Sequence, residues 1–235
     1  MSWQPEVANL LSVLLILSGL ALFGASRLAF GIRVVAVQGL GLGLLPVFAG
    51  AAGAHPSAWI MSGAAILLKA VVFPWLLLRA MRQAEVRHEV EPFVGFGLSI
   101  WIGIVLLAAC VFASRSMAAW PGAPAGLPLP ASFFLVLTGF FLITTRLKAL
   151  TQTIGYLVLE NGVFAFGTLL VPEAPRLLEL AVLLDVLAAV FIMGIAIFHI
   201  HRKFDHIDTN RMNFLRDWRR EENRPGARIA PEARP

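Results

Sequence analysis

Lys69, Glu160 and Asp185 are the side chains of this sequence best placed to do chemistry, because each stands near the middle of a long apolar stretch. Lys69 lies ten residues before Arg79, Glu160 nine after Thr151 and Asp185 nine after Arg176. At 1.5 Å per helical residue each is about 14–15 Å from a segment end, close to the midplane of a hydrocarbon core about 30 Å thick. An unpaired charge at that depth costs at least about 2.5–3.5 kcal/mol, so such residues face a bundle interior and mark proton or ion routes. One lysine with two carboxylates leaves a charge that must take up a proton or reach water. The competing reading is a static buried ion network that only fixes helix packing.

Neighbouring residues sharpen both readings. Gln152, Tyr156 and Glu160 are spaced i, i+4, i+8, so they form one polar stripe that can hold a water chain from the helix end to the midplane. Asn161 and Gly162 follow, and the glycine allows either a close backbone approach or a local break. Ala181, Ala188, Ala189 and Ala196 share the general face of Asp185 and let a neighbouring helix pack tightly there. Glu179, nearer the outer surface and on another face, can serve as an exit or simply snorkel. Pro74, five residues after Lys69, leaves the carbonyl of Ala70 without its helical donor and predicts a kink beside the lysine. Irregular backbone beside a buried charge is a common way to build an ion path.

The elements that must hold these residues are transmembrane helices. The 235 residues are 58% hydrophobic and 14% charged, far below the roughly one quarter charged of a soluble domain. Apolar stretches at about 7–26, 32–50, 58–78, 93–114, 129–145, 151–171 and 177–200 are each of spanning length. The expectation is an all-α membrane protein with seven transmembrane helices. The first stretch is expected to stay, since Met1 to Val7 carries Glu6, no basic residue, and no cleavage site follows. Of the 19 Lys and Arg, all but Lys69, Arg115 and Arg176 fall after spans one, three and five or in the tail. That asymmetry predicts the N-terminus outside, the C-terminus cytoplasmic, and the basic residues as a solvated cytoplasmic face. The net charge of +5 thus reflects topology, with no nucleic acid as partner.

Residues 1–200 read as one membrane domain and 201–235 as a basic cytoplasmic tail. Asp208 to Arg220 has the pattern of a short amphipathic helix with Met212, Leu215 and Trp218 on one face. It either lies on lipid headgroups or docks a cytoplasmic partner. The final dozen residues have a disordered composition. A faint repeat at an offset of 116 residues aligns Gly39 with Gly155, Val47-Phe48-Ala49 with Val163-Phe164-Ala165, and Lys69 with Asp185, leaving Leu44 in the place of Glu160.

Several chemistries are excluded by what the chain holds. Cys110 is alone, so this chain builds no disulfide, iron–sulfur cluster or thiolate metal site. His55, His88, His199, His201 and His206 lie in loops or at helix ends, not at the depth of a transmembrane haem. No cofactor is expected. Retinal is excluded by order, since its lysine belongs in the last span and here Lys69 is in the third. Gly39, Gly41 and Gly43 lie inside a span and read as helix packing, not as a dinucleotide loop.

Leu68-Lys69-Ala70-Val71-Val72-Phe73-Pro74, Gly155-Tyr156-Leu157-Val158-Leu159-Glu160-Asn161-Gly162, Glu179-Leu180-Ala181-Val182-Leu183-Leu184-Asp185 with its Val190-Phe191-Ile192-Met193 continuation, and the Asp208-Thr209-Asn210 tail resemble the hydrogenase-4 component E family. The resemblance implies a small subunit of a formate hydrogenlyase-like, group 4 membrane-bound hydrogenase complex in a bacterial cytoplasmic (inner) membrane. Its partners would be the lipid bilayer, antiporter-like membrane subunits, and cytoplasmic redox subunits reached through the tail. The last three spans are similar to the K-type subunit of respiratory complex I and to the C-type subunit of multisubunit antiporters. Carried over, Glu160 takes the place of the buried glutamate of the K-type second span. Asp185 stands for the carboxylate of its third span, one methylene shorter. Lys69 has no counterpart in the K-type subunit. The expected function is non-catalytic proton relay or lateral coupling through Glu160, Asp185 and Lys69. The alternatives are a structural bridge between antiporter-like and redox modules, and a free-standing proton or sodium transporter.

Overall fold

The computed structural model describes residues 3–48, 63–64, 66–84, 94–117 and 126–170, together with the isolated positions Val190 and Gly194. These all belong to one unit, Met1–Ala196. Among the described residues there is no strand. Helix α1 (Trp3–Phe23) and α2 (Leu28–Phe48) come first. A π-helical segment (Ile66–Val72) then runs directly into α3 (Phe73–Ala84). Helices α4 (Phe96–Met117), α5 (Pro128–Thr145) and α6 (Ala149–Leu170) follow. Four of these, α1, α2, α4 and α5, are long and apolar enough to cross a membrane. Helix α6 matches them in length but carries Gln152, Glu160 and Asn161. The chain is therefore a helical membrane protein. The stretch expected as a seventh span, 177–200, lies outside the described residues except for Val190 and Gly194, and so does the tail from 201.

Helix limits differ from the apolar stretches by a few residues for local reasons. Helix α1 stops at Phe23, where Gly24 turns and Ala25 N–H closes onto Leu22 O at 3.2 Å. Helix α3 runs past the expected end at 78 to Ala84, since Arg79 can lie over the Trp75 ring at 5.6 Å and keep its charge outward. Helix α5 starts with Pro128 in its first turn, where a missing N–H costs nothing.

Two contacts fix the ends of the bundle. Arg146, in the α5–α6 connection, donates to Phe23 O at 3.1 Å, so the α1–α2 and α5–α6 connections share one end. Its guanidinium also lies 4.9 Å from the Phe96 ring, which brings the start of α4 to the same end. At the other end Leu127 N–H donates to Asn9 Oδ1 at 3.0 Å. Gly126 sits there at φ 95°, and a Cβ would fall 2.5 Å from that same oxygen, so both conformation and space require glycine.

Helices α5 and α6 are in backbone contact. A Cβ on Gly139 would lie 2.3 Å from Leu159 N, on Gly155 2.9 Å from Ile143 N, and on Gly162 2.5 Å from Val136 N. Small residues let helices close together where lipid offers no hydrophobic drive for their association. Helix α6 is continuous through Asn161 and Gly162, so this glycine provides close approach and not a break.

Helices α2 and α6 run parallel. A Cβ on Gly31 would meet Ile154 Cδ1 at 3.2 Å, and seven residues on Asn161 Nδ2–H donates to Gln38 Oε1 at 3.4 Å. Along α2 the buried residues Leu28, Gly31, Val35, Gln38, Leu42 and Leu45 alternate steps of three and four. Thr151, Ile154, Val158, Asn161 and Ala165 of α6 do the same. This is the heptad rhythm of a parallel coiled coil. Gln38 and Asn161 are 123 residues apart, as are Phe23 and Arg146. This contact register is one heptad longer than the 116-residue offset of the sequence repeat. Gly39 and Gly155 serve different contacts, and Leu44 is exposed.

Apolar packing completes the positioning. Leu15, Ile32, Leu42, Phe73, Leu77 and Leu157 belong to the main buried cluster across α1, α2, α3, α5 and α6. Phe23, Cys110 and Phe134 form a second across α1, α4 and α5, with the Phe23 and Phe141 rings 4.9 Å apart. Among the described helices α4 packs chiefly on α5 and α1, and it exposes Leu98, Trp101, Val105 and Phe112, the surface expected of a helix facing lipid.

Candidate functional site

Lys69 sits on the π-helical segment, so the irregularity expected beside it takes the form of a π segment ending where Pro74 lies in the first turn of α3. A residue that cannot donate an N–H suits that junction, since neither an α nor a π bond from position 74 can form. Within the segment Leu67 and Val71 are exposed while Lys69 is 2% exposed, so the lysine points inward between two outward-facing apolar side chains. Its backbone is pressed against α2. A Cβ on Gly39 would stand 2.6 Å from the Lys69 carbonyl carbon and 2.8 Å from Ala70 N. Gly43, one turn along, receives the Ile66 side chain in the space a Cβ would take. The glycines are thus a groove for the lysine-bearing segment, as helix packing requires.

Glu160 faces the lysine from the middle of α6, eleven residues from Ala149 and ten from Leu170. Lys69 Nζ donates to Glu160 Oε1 in a salt bridge, with both side chains 2% exposed. Phe164, one turn further along α6, places its ring 5.4 Å from Nζ. A buried pair of opposite charges is held by mutual attraction against heavy desolvation, so removing one partner destabilises far more than the pair stabilises. The same balance makes a proton transfer within the pair, or its separation by a third group, a change of large electrostatic consequence.

Beside the pair runs a neutral polar chain that the sequence reading missed. Asn161 donates to Gln38, Gln38 Nε2–H donates to Ser18 Oγ at 3.1 Å, and Ser18 donates to Leu15 O at 2.8 Å. Gln38 is 0% and Asn161 1% exposed, so α6, α2 and α1 are tied by amides at the depth of the ion pair. A glutamine midway in an otherwise apolar span was the available signal. Arg146 is the second omission. Expected on a solvated cytoplasmic face, it is 1% exposed, because its charge is turned onto the carbonyl end of α1 and the Phe96 ring. A carbonyl-rich helix terminus is a favourable site for a cation. Nothing in the local sequence distinguished it from Lys148.

Of the residues expected to form a relay, Lys69 and Glu160 are brought together. Tyr156 lies one turn below Glu160, half-buried against the main apolar cluster. Gln152 shares the stripe, but its Nε2–H donates to Arg146 O at 2.9 Å, so its amide closes the α5–α6 connection and is turned toward the helix end. Asp185, Glu179, Met212, Leu215 and Trp218 lie outside the described residues.

Fold and site together define a helical membrane protein with a lysine–glutamate pair buried at mid-helix. The chain belongs to the family of the uncharacterized protein Rv0085 of Mycobacterium tuberculosis, to which it is 36% identical over 189 residues, 79% of this chain and 85% of that protein. It is also a distant relative of hydrogenase-4 component E from Escherichia coli K12 and from Shigella flexneri. There the identity is 26% over 159 residues, 67% of this chain and 73% of each relative. No family model and no solved structure matches the chain.

Proposed function

We propose that this protein is a non-catalytic, seven-span subunit of a hydrogenase-type membrane complex, in which Glu160 and Lys69, with Asp185, relay protons or pass electrostatic change sideways to antiporter-like subunits. The observation that carries this reading is the salt bridge between two fully buried, titratable side chains, one of them on a π-helical segment. Segments of that kind recur at functional sites, and ionisable pairs at membrane depth are the usual parts of proton pathways. Similarity to hydrogenase-4 component E supports membership of such a complex. The orientation would place the N-terminus outside and the basic tail, with Met212, Leu215 and Trp218, in the cytoplasm against redox subunits. The setting would be a bacterial inner membrane.

A structural bridge with a static ion network is the second reading, favoured by the direct contact of Lys69 with Glu160 and Phe164. Glu160→Gln separates them, because the amide keeps shape and hydrogen bonding while abolishing titration. A relay loses proton-coupled turnover with the complex intact. Normal ion coupling in that variant, or loss of assembly instead of coupling, sinks the relay.

A further inference from the structure

The register between α2 and α6 decides whether Lys69 can reach Glu160. Lys69 is fixed to α2, since its backbone rests on Gly39, and Glu160 belongs to α6. The pair therefore forms only if the two helices lie at the observed 123-residue offset. The apolar part of the seam does not select that offset. Its buried positions repeat with a heptad rhythm, so sliding α6 by seven residues, to an offset of 116, rematches apolar with apolar.

Within the seam the amides distinguish the two offsets, alongside the Arg146–Phe23 and Leu127–Asn9 contacts at the helix ends. At the observed offset Gln38 and Asn161 meet, and Ser18 holds the far end of Gln38. After the slide Gln38 would face Ile154 and Asn161 would face Leu45, leaving two buried amides among apolar side chains. We propose that Gln38 and Asn161 are positioning residues, a register lock between the α1–α2 and α5–α6 hairpins that sets Glu160 against Lys69. A single buried polar pair in an apolar heptad seam fixes register in this way. The consequence for coupling rests on the relay reading, whereas the register itself does not.

The register can be read by disulfide trapping in membranes containing the whole complex, in a Cys110→Ala background. Cysteines at Leu42 and Ala165 report the observed offset, and cysteines at Leu42 and Val158 report the slide. The unmodified seam should trap only the first pair. With Gln38→Leu and Asn161→Leu combined, the ratio of first to second should fall about 5- to 30-fold, the factor expected for one lost interhelical hydrogen bond. The exchange Gln38→Asn with Asn161→Gln should keep the ratio within about twofold. Should the double leucine chain fail to accumulate, Gln38→Met alone reads the same ratio. An unchanged ratio in the leucine or methionine variants overturns the proposal, even if Glu160→Gln abolishes coupling. A fallen ratio with undiminished ion coupling upholds the lock and overturns the relay.

Discussion

Lys69 and Glu160 form a set in which each makes the other tolerable. Lys69→Met strands the Glu160 carboxylate in a site made for a pair, and loss of one partner of a buried charged pair costs roughly 3–5 kcal/mol while the other stays charged. The double variant Lys69→Met with Glu160→Gln should therefore accumulate in membranes to a higher level than Lys69→Met alone, and melt at a higher temperature, though without coupling. Additive losses would mean that the two side chains are energetically independent despite their contact. On charge alone either Glu160 or Asp185 can compensate Lys69, and the double variant with Asp185→Asn tests the second. Glu160 meets the lysine because α6 and the π segment both pack on α2.

At the scale of elements, backbone contact between helices is the feature most exposed to substitution. Gly162→Ala must push α6 from α5, since Val136 N and Ser132 O lie 2.5 and 2.8 Å from the new Cβ. A loss of about 1–3 kcal/mol is expected, the usual range for overpacking, read as a lowered unfolding midpoint in detergent. Gly97→Ala in α4, with nothing within 4 Å, should be neutral or gain up to about 1 kcal/mol, because alanine in a helix loses less backbone entropy. Equal effects at the two positions would refute the packing account. Pro74→Ala tests the π segment: the restored N–H should leave stability unchanged or higher while coupled activity falls, since Lys69 then turns with a regularised helix. Full activity would detach the π segment from function.

For the whole molecule, the shared end of the α1–α2 and α5–α6 connections makes sidedness testable. Single cysteines at Ser26 and Leu147, both exposed, should react with an impermeant reagent from the cytoplasmic side, and one at Leu127 from the opposite side. Labelling of Ser26 and Leu147 from opposite sides would break the bundle as described. The positive-inside pattern gives the direction, and the Arg146 contact with α1 gives the pairing of ends. Removal of the chain from Asp208 onward should release peripheral subunits while the membrane helices keep their melting behaviour, because the apolar segments end before it. Retention of every peripheral subunit would leave only the lipid-surface role for Met212, Leu215 and Trp218.

What the sequence alone determined was local: apolar length makes membrane helices, Pro74 perturbs the helix that carries Lys69, and a charge at mid-span must face inward. Each follows from the residue and its immediate neighbours, since hydrogen bonding and hydration in a membrane act along one helix. Tertiary structure alone decided the relations between helices. The 123-residue register, the contact of Lys69 with Glu160, the amide chain through Gln38 to Ser18 and the burial of Arg146 all depend on which faces meet. An apolar heptad pattern is equally satisfied by two offsets one heptad apart. The fold takes the offset at which two buried amides find each other.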